Sequence, residues 1–352
     1  MEVPEIMLKL AELKSLLARH GIRPHKRMGQ NFLADGNMLR AIVRDAEVDK
    51  RSCVLEIGTG AGSLASALCE EAGLVITVEA DRGMYNVASD ALSDAKNVVM
   101  LQANALDADE TSLNPELAGL IHAYIAHGML DVESCTFDAA NVQIAGNTPK
   151  LSTLRCVSNL PYSAAGPIIT ALLESSLTFE RIVVMVQYEV GEKLCARVGG
   201  SAYGILSLIR AQFADARILR RVPSRVFWPR PKVDSAVVEL RPFKKPDKAA
   251  YLRLKNLAHV LFQHRRKQGA NALAYALDVP APTADAWLVA AGADPNARPE
   301  DIPHGALQRL ADLPDLANLV RDRARRQSDR ALEKSARAAA RARWRKPKDE
   351  EE

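Results

Sequence analysis

The chain has 352 residues, 48 % hydrophobic and 26 % charged, a balance that excludes global disorder and a length that predicts more than one domain. Its apolar runs are far shorter than a bilayer span, and its N-terminal stretch has no secretory core. Five widely spaced cysteines without a C-x-x-C pair exclude a disulfide framework and a cysteine-type zinc site, so the expected setting is a reducing cytoplasm.

Ile6, Leu10, Leu13, Leu16 and Leu17 recur at helical spacing and predict an amphipathic helix over 5–19, ended by Gly21 and Pro24. A basic stretch, HKRMGQNFL, precedes a second amphipathic segment over 36–46. Short apolar runs then alternate with helical segments. VLEI (54–57), LVITV (74–78), VVML (98–101), CVSNL (156–160) and IVVMVQ (182–187) read as strands buried on both faces, with helices near 62–72, 83–92 and 164–176. This rhythm predicts an α/β fold, a Rossmann-like parallel sheet with helices on both sides.

The stretch 108–153 is longer than a crossover requires. It predicts a helix over 115–126 and a hairpin in CTFDAANVQI, and no function is read from it. Strands near 211–219 and 235–241, joined by a proline-rich loop, predict an antiparallel addition at the sheet edge. After FKKPDK (243–248) the pattern is helical to about residue 319. The expected domains are 1–245, the α/β domain; 246–319, a small C-terminal α-helical domain that binds RNA; and 320–352, a basic tail, partly disordered. Residues 321–352 carry 12 Lys/Arg against 7 Asp/Glu, which is more than the whole net charge of +4. With almost no apolar stripe, the tail fits a solvated extension or a nucleic-acid-contacting arm.

The segment VLEIGTGAGSL runs strand, glycine turn, helix. Gly58, Gly60 and Gly62 permit a sharp turn and close approach of a ligand. A dinucleotide fingerprint wants glycine at 58, 60 and 63, but Ser63 occupies the last position. The spacing E-x-G-x-G-x-G instead suits S-adenosylmethionine, which has no pyrophosphate. Glu79 ends the second strand, where its carboxylate can accept from both ribose hydroxyls. Asn104, after the third strand, can pair with the adenine edge of the cofactor. All these positions fall at carboxyl ends of parallel strands, where open sheets bind ligands.

The fourth strand ends Asn159-Leu160-Pro161-Tyr162. The Asn159 side-chain oxygen and the Leu160 carbonyl can accept the two protons of an exocyclic amine, favouring a pyramidal nitrogen whose lone pair points at a methyl sulfonium. Pro161 keeps Leu160 extended and aims that carbonyl. Tyr162 offers a stacking face to an extruded base. No strong base is needed; positioning carries the catalysis. His122/His127 and His259/His264 are five apart, about 140° around a helix, so neither pair makes a metal-binding face.

With KRMGQNFL (26–33), VLEIGTGAG (54–62), VEAD (78–81), SNLPY (158–162), VFWPRPKVDSAVVEL (226–240), FQHRRKQGANAL (262–273) and AGADPNARPEDI (291–302), the chain closely resembles the small-subunit ribosomal RNA adenine dimethyltransferases, the kasugamycin-sensitivity family. The resemblance implies a class I S-adenosylmethionine-dependent fold. It implies transfer of two methyl groups to each of two adjacent adenines near the 3′ end of small-subunit rRNA during ribosome biogenesis. The expected partner is a pre-ribosomal small subunit, met by a monomer with no metal and no membrane. The resemblance puts cofactor contacts at Asn31, Leu33, Gly58, Glu79, Asn104 and Asn159, with Gly60 in the same turn. Asn31 and Leu33 close over the methionine end. Asn104 is a departure, because the family usually has Asp there; weaker cofactor binding or a compensating contact is expected. Phe227 is a candidate second stacking face. Arg265, Arg266 and Lys267, on a predicted helix, are candidate RNA-phosphate contacts. AGADPNARPEDI separates the chain from related enzymes that methylate one large-subunit adenine. An intact Asn159–Tyr162 argues against a non-catalytic assembly factor, and Ser63 against a nicotinamide dehydrogenase.

Overall fold

The computed structural model describes residues 10–24, 31–127, 138–140 and 151–326. The chain divides into two compact units, Met1–Cys195 with Ile209–Lys244, and Ala196–Leu208 with Lys245–Glu352.

The first unit opens with α1 (Leu10–Arg19), β1 (Phe32–Leu33) and α2 (Gly36–Asp45), followed by β2 (Ser52–Ile57), α3 (Ser63–Glu71), β3 (Leu74–Glu79), α4 (Arg82–Ala91) and β4 (Val98–Gln102). After α5 (Pro115–His127) and β5 (Asp138–Ala140) come β6 (Thr153–Asn159), α6 (Ala165–Glu174), β7 (Arg181–Gln187), α7 (Tyr188–Cys195), α8 (Ile205–Phe213), β8 (Ala214–Val222), β9 (Phe227–Trp228) and β10 (Ser235–Pro242). One sheet has the order β5-β4-β3-β2-β6-β7-β10-β8, and β1 pairs with β9 in a separate ribbon.

β2, β3, β4, β6 and β7 are parallel neighbours. Every residue of β2 is buried, as are Leu74–Val78 and Val98–Leu101, which explains why these strands read as unbroken apolar runs rather than alternating ones. From β2 the chain winds outward through β3 to β4, then returns to the opposite side of β2 with β6 and β7. That reversal opens a crevice between the carboxyl ends of β2 and β6. Asp35 and Asp81 cap α2 and α4 by accepting from the Met38 and Met84 N–H groups at 3.0 and 2.9 Å. Leu13, Leu16 and Leu17 of α1 are buried with Phe32, Ala61, Met84 and Val87, so this helix packs beside the glycine turn.

One sequence expectation changes here, and another falls largely on residues outside the description. Of the hairpin expected in CTFDAANVQI, only Asp138–Ala140 is described, and it adds antiparallel to β4 with Leu101 opposite Ala139; residues 135–137 and 141–144 lie outside the described residues. The strand expected near 211 begins at Ala214, because α8 continues to Phe213 with Leu208 and Ile209 buried.

At the opposite end of the sheet from the crevice, Glu239 of β10 is 1 % exposed. Arg181 and Arg241 each reach its carboxylate at 3.0 Å, and Arg217 joins them. Burial pushes the Glu239 carboxyl up, but these arginines outweigh it and hold the group below its ordinary range. Arg181 also meets Glu47 at 2.7 Å and the Asp45 carbonyl at 2.9 Å, and Arg155 donates to the carbonyls of Ala46 and Glu47. The α2–β2 turn, with Glu47 at φ +51°, is thereby pinned to the base of β6 and β7.

In the second unit, α9 (Lys248–Phe262), α10 (Gly269–Leu277), α11 (Ala281–Ala290) and α12 (His304–Ala311) enclose Leu257, Leu261, Leu273, Leu288 and Leu307. Tyr203 and Leu208 are buried in the same core. That packing is why residues 196–208, read in the sequence as part of the α/β domain, belong to this unit. No helix among the described residues is long and apolar enough to cross a membrane. The tail beyond residue 326 lies outside the described residues.

Replacing Glu239 by Ala removes the one fully buried carboxylate that Arg181 meets and leaves it with Glu47 alone, and about 3 kcal/mol of stability is expected to be lost. Urea unfolding of the variant beside the wild type measures it.

Candidate active site

A cavity of about 550 Å³ lies at the carboxyl ends of β2, β3 and β6. Its walls are the segment Asn31–Leu33, the glycine turn after β2, Glu79–Asp81 after β3, and Asn159–Tyr162 after β6.

Gly58, Gly60 and Gly62 take φ of +83°, +57° and +83°. A Cβ on Gly58 would meet Pro161 Cδ at 3.6 Å and the Asn159 carbonyl at 3.8 Å, which is ordinary contact. The left-handed backbone, not crowding, is what demands glycine here. The Gly58 N–H donates to the Val78 carbonyl at 2.8 Å, tying the turn to β3. Glu79 accepts from the Gly60 N–H on one oxygen and from the Asp81 N–H on the other, each at 2.9 Å. Burial pushes its carboxyl up, while these two N–H groups oppose the shift. Each oxygen retains a lone pair, so the held carboxylate can still accept from vicinal hydroxyls.

The Asn159 Nδ2 donates to the Asn31 carbonyl at 3.3 Å. Its donor end is thereby engaged, and its Oδ1 is left as the acceptor. The Leu160 N–H donates to the Met185 carbonyl at 3.1 Å with the side chain buried, fixing this residue at the end of β6. The Tyr162 hydroxyl shares a 2.7 Å hydrogen bond with Ser235, which anchors the ring; burial pushes the Tyr162 phenol up. Ser158 accepts from the Ile57 N–H at 2.9 Å and joins the ends of β2 and β6. Asn31, Leu33, Gly58, Gly60, Glu79, Asn159, Leu160, Pro161 and Tyr162 are thus brought to one cavity.

The remaining candidates are placed elsewhere. Asn104 is exposed and does not line the cavity; its Oδ1 accepts from the Leu106 N–H at 3.1 Å, because the chain turns directly after β4. Phe227 is 4 % exposed and sits opposite Leu33 in the β1–β9 ribbon, packed with Leu33 and Leu39. Its ring belongs to the core. Arg265, Arg266 and Lys267 lie in the turn between α9 and α10, not on a helix. Arg265 donates to the Ser201 carbonyl at 2.9 Å and meets Glu300 at 3.4 Å, a brace within the helical unit. Arg266 and Lys267 are exposed.

Sequence reasoning passed over Glu56, Thr59 and Phe32, which also line the cavity. Glu56 was visible as the one acid in a buried apolar strand. It is 1 % exposed, accepts from the Thr77 hydroxyl at 2.5 Å, and Thr77 in turn meets Thr59 at 2.6 Å. Burial pushes the Glu56 carboxyl up to about 8, with Glu79 adding to the shift.

Because the folded state holds this proton more tightly than the unfolded chain, Glu56 contributes stability that is complete below pH 4.5 and is lost as pH rises toward about 8. In urea titrations between pH 5 and 8, the wild type should lose stability relative to Glu56→Gln by up to about 1.4 kcal/mol per pH unit. Parallel curves would refute the protonated acid.

Residues 21–285 match the ribosomal RNA adenine dimethylase family. The chain is 35 % identical over 309 residues to the ribosomal RNA small subunit methyltransferase A of Pelotomaculum thermopropionicum, a match covering 86 % of this chain and 95 % of that protein. It is 37 % identical over 299 residues to the enzyme of the same name from Streptomyces griseus, covering 84 % and 91 %. The fold is similar to that of a dimethyladenosine transferase from Plasmodium falciparum, with TM-score 0.58, 22 % identity, and 82 % of this chain and 98 % of that one covered. It is also similar to the 23S rRNA methyltransferase ErmE, with TM-score 0.53, 23 % identity, and coverage of 81 % and 100 %. By the span of the family match and the extent of these identities, the chain belongs to the ribosomal RNA adenine dimethylase family.

Proposed function

We propose that the protein uses S-adenosylmethionine to dimethylate N6 of two adjacent adenines near the 3′ end of small-subunit ribosomal RNA, acting as a monomer on a pre-ribosomal small subunit in the cytoplasm. The family match and the small-subunit relatives support the substrate class. The observation that carries the reading is the meeting of Asn159–Tyr162 with the Gly58 turn in one cavity.

The residues present fit the cofactor. A left-handed glycine turn leaves the floor of the cavity open, and the Glu79 carboxylate is held by backbone N–H groups in a posture to accept from ribose hydroxyls. When bound, S-adenosylmethionine supplies an electrophilic methyl carbon on a sulfonium centre. The chain's own residues do the rest. Asn159 Oδ1 and the Leu160 carbonyl accept hydrogen bonds from the two amine protons of an extruded adenine, which turns its nitrogen lone pair out of conjugation, and the proton that nitrogen sheds on methylation passes to water. Tyr162, anchored by Ser235, stacks on the base, and Asn31 holds the Asn159 amide in the accepting orientation. These residues act by holding the amine in a near-attack geometry, with no general base required. Asn104, away from the cavity with its oxygen engaged by Leu106, is the weakest member of the cofactor set; its amide nitrogen offers only donors, where a family Asp would accept.

Methyl transfer onto purified small-subunit particles, mapped for dimethyladenine, tests the reading. The wild type is expected to modify two adjacent adenines, and Asn159→Ala to fall by about 100-fold or more; full activity in that variant would remove Asn159 from the mechanism. Glu79→Ala is expected to weaken cofactor affinity about tenfold or more, read by calorimetry; an unchanged affinity would refute the ribose role.

A further inference from the structure

The helical unit displays an aromatic side chain that the chemistry above does not use. Tyr275 of α10 is 69 % exposed. The His264 ring meets it edge-on, with centroids 4.9 Å apart and 82° between the planes, and the Lys267 ammonium stands 5.2 Å from its centroid. Both neighbours come from the turn after α9, closed by the Lys267 N–H donating to the His264 carbonyl at 2.8 Å. Arg266, in the same turn, is exposed. The result is a ring held in place at the surface, with the Lys267 ammonium over it and most of its area still exposed.

A pocket of about 240 Å³ lies alongside, lined by Asn256, His259, Gln263 and Arg323 together with three apolar residues. No carboxylate lines it. Arg323 connects the two features: its guanidinium donates to the carbonyl of Ala276, the residue after Tyr275, and to Gln263 Oε1 at 3.4 Å, the residue before His264. Its Nε is buried with no hydrogen-bond partner. A carboxylate-free pocket carrying an arginine suits a phosphate oxygen. An exposed ring with a lysine ammonium held against it suits a nucleobase face, and base–aromatic stacking needs no particular sequence. Arg323 therefore ties the pocket to the segments that carry Tyr275 and His264.

We propose that Tyr275, with His264 and Lys267, is a stacking platform for an unpaired RNA base, and that the Arg323 pocket takes the adjoining backbone phosphate. This rests on the reading that the substrate is RNA, and it adds a single-strand subsite on the helical unit.

The test is fluorescence anisotropy of the full chain with a labelled 12-nucleotide adenine-rich RNA, single-stranded and as a duplex, over a range of salt concentrations. Tyr275→Ala is expected to weaken single-strand binding about tenfold without changing the salt slope, Tyr275→Phe to bind as the wild type does, and duplex binding to change little. Arg323→Gln is expected to reduce the salt slope by about one. Wild-type affinity in Tyr275→Ala, or an equal loss on duplex and single strand, would overturn the platform; an unchanged slope in Arg323→Gln would overturn the phosphate pocket. Wild-type methyl transfer to small-subunit particles is measured alongside. If that fails, the parent reading falls, whereas retained transfer with indifferent Tyr275 variants sinks this inference alone.

Discussion

The chain leaves β2 through a left-handed turn at Gly58, next to the Asn159 carbonyl that ends β6 and the Pro161 ring that follows it. This adjacency follows from the winding of the sheet, because β2 is the strand at which the order reverses and β6 is the first strand on its other side. Helices covering the faces leave the carboxyl ends of the strands as the open edge, and at the reversal the connections diverge and leave a crevice. Ser158, reaching across to the Ile57 N–H, holds the two strand ends in register. The cofactor cradle and the amine-gripping segment share a cavity for that reason, although about 100 residues separate them in the chain.

Buried and half-buried acids at the two ends of the sheet are treated in opposite ways. At the base, Glu239 lies among Arg181, Arg217 and Arg241 and stays ionised despite its burial. At the crevice, Glu56 and Glu79 take part in no ion pair among the described residues, are held by hydroxyl and N–H donors, and have raised affinities for protons. A compensated charge suits a permanent brace. Glu56 keeps its proton, whereas Glu79, an acid beside the cavity with no ion pair among the described residues, suits a site that receives a cationic ligand, since the ligand then supplies the counter-charge the fold withholds.

The departures from expectation share a cause. Phe227, Arg265 and Asn104 each have the chemistry their assigned roles need, and each spends it internally. Phe227 fills the core opposite Leu33, Arg265 braces Ser201 and Glu300, and Asn104 satisfies the turn N–H of Leu106. An aromatic ring, a guanidinium or an amide serves packing and loop closure as readily as recognition, and residue type alone does not say which partner is nearer. Tyr275 is the converse, an aromatic that would pass for core in an alanine-rich helix yet stands 69 % exposed.

Read along the chain, the unbroken apolar runs, the glycine turn, the strand-end Glu79 and SNLPY were sufficient for the α/β class, the parallel strands and most of the cavity wall. These features are local, because burial on both faces, a positive φ and a proline-fixed carbonyl each depend on a few consecutive residues. Tertiary structure alone decided the rest. It assigned residues 196–208 to the helical core through Tyr203 and Leu208, laid Asp138–Ala140 against β4, buried Glu56 under the glycine turn, and joined Arg323 to the surface around Tyr275. Each of these depends on which distant segments come to lie side by side, and that is fixed by the packing of whole elements rather than by any short stretch of sequence.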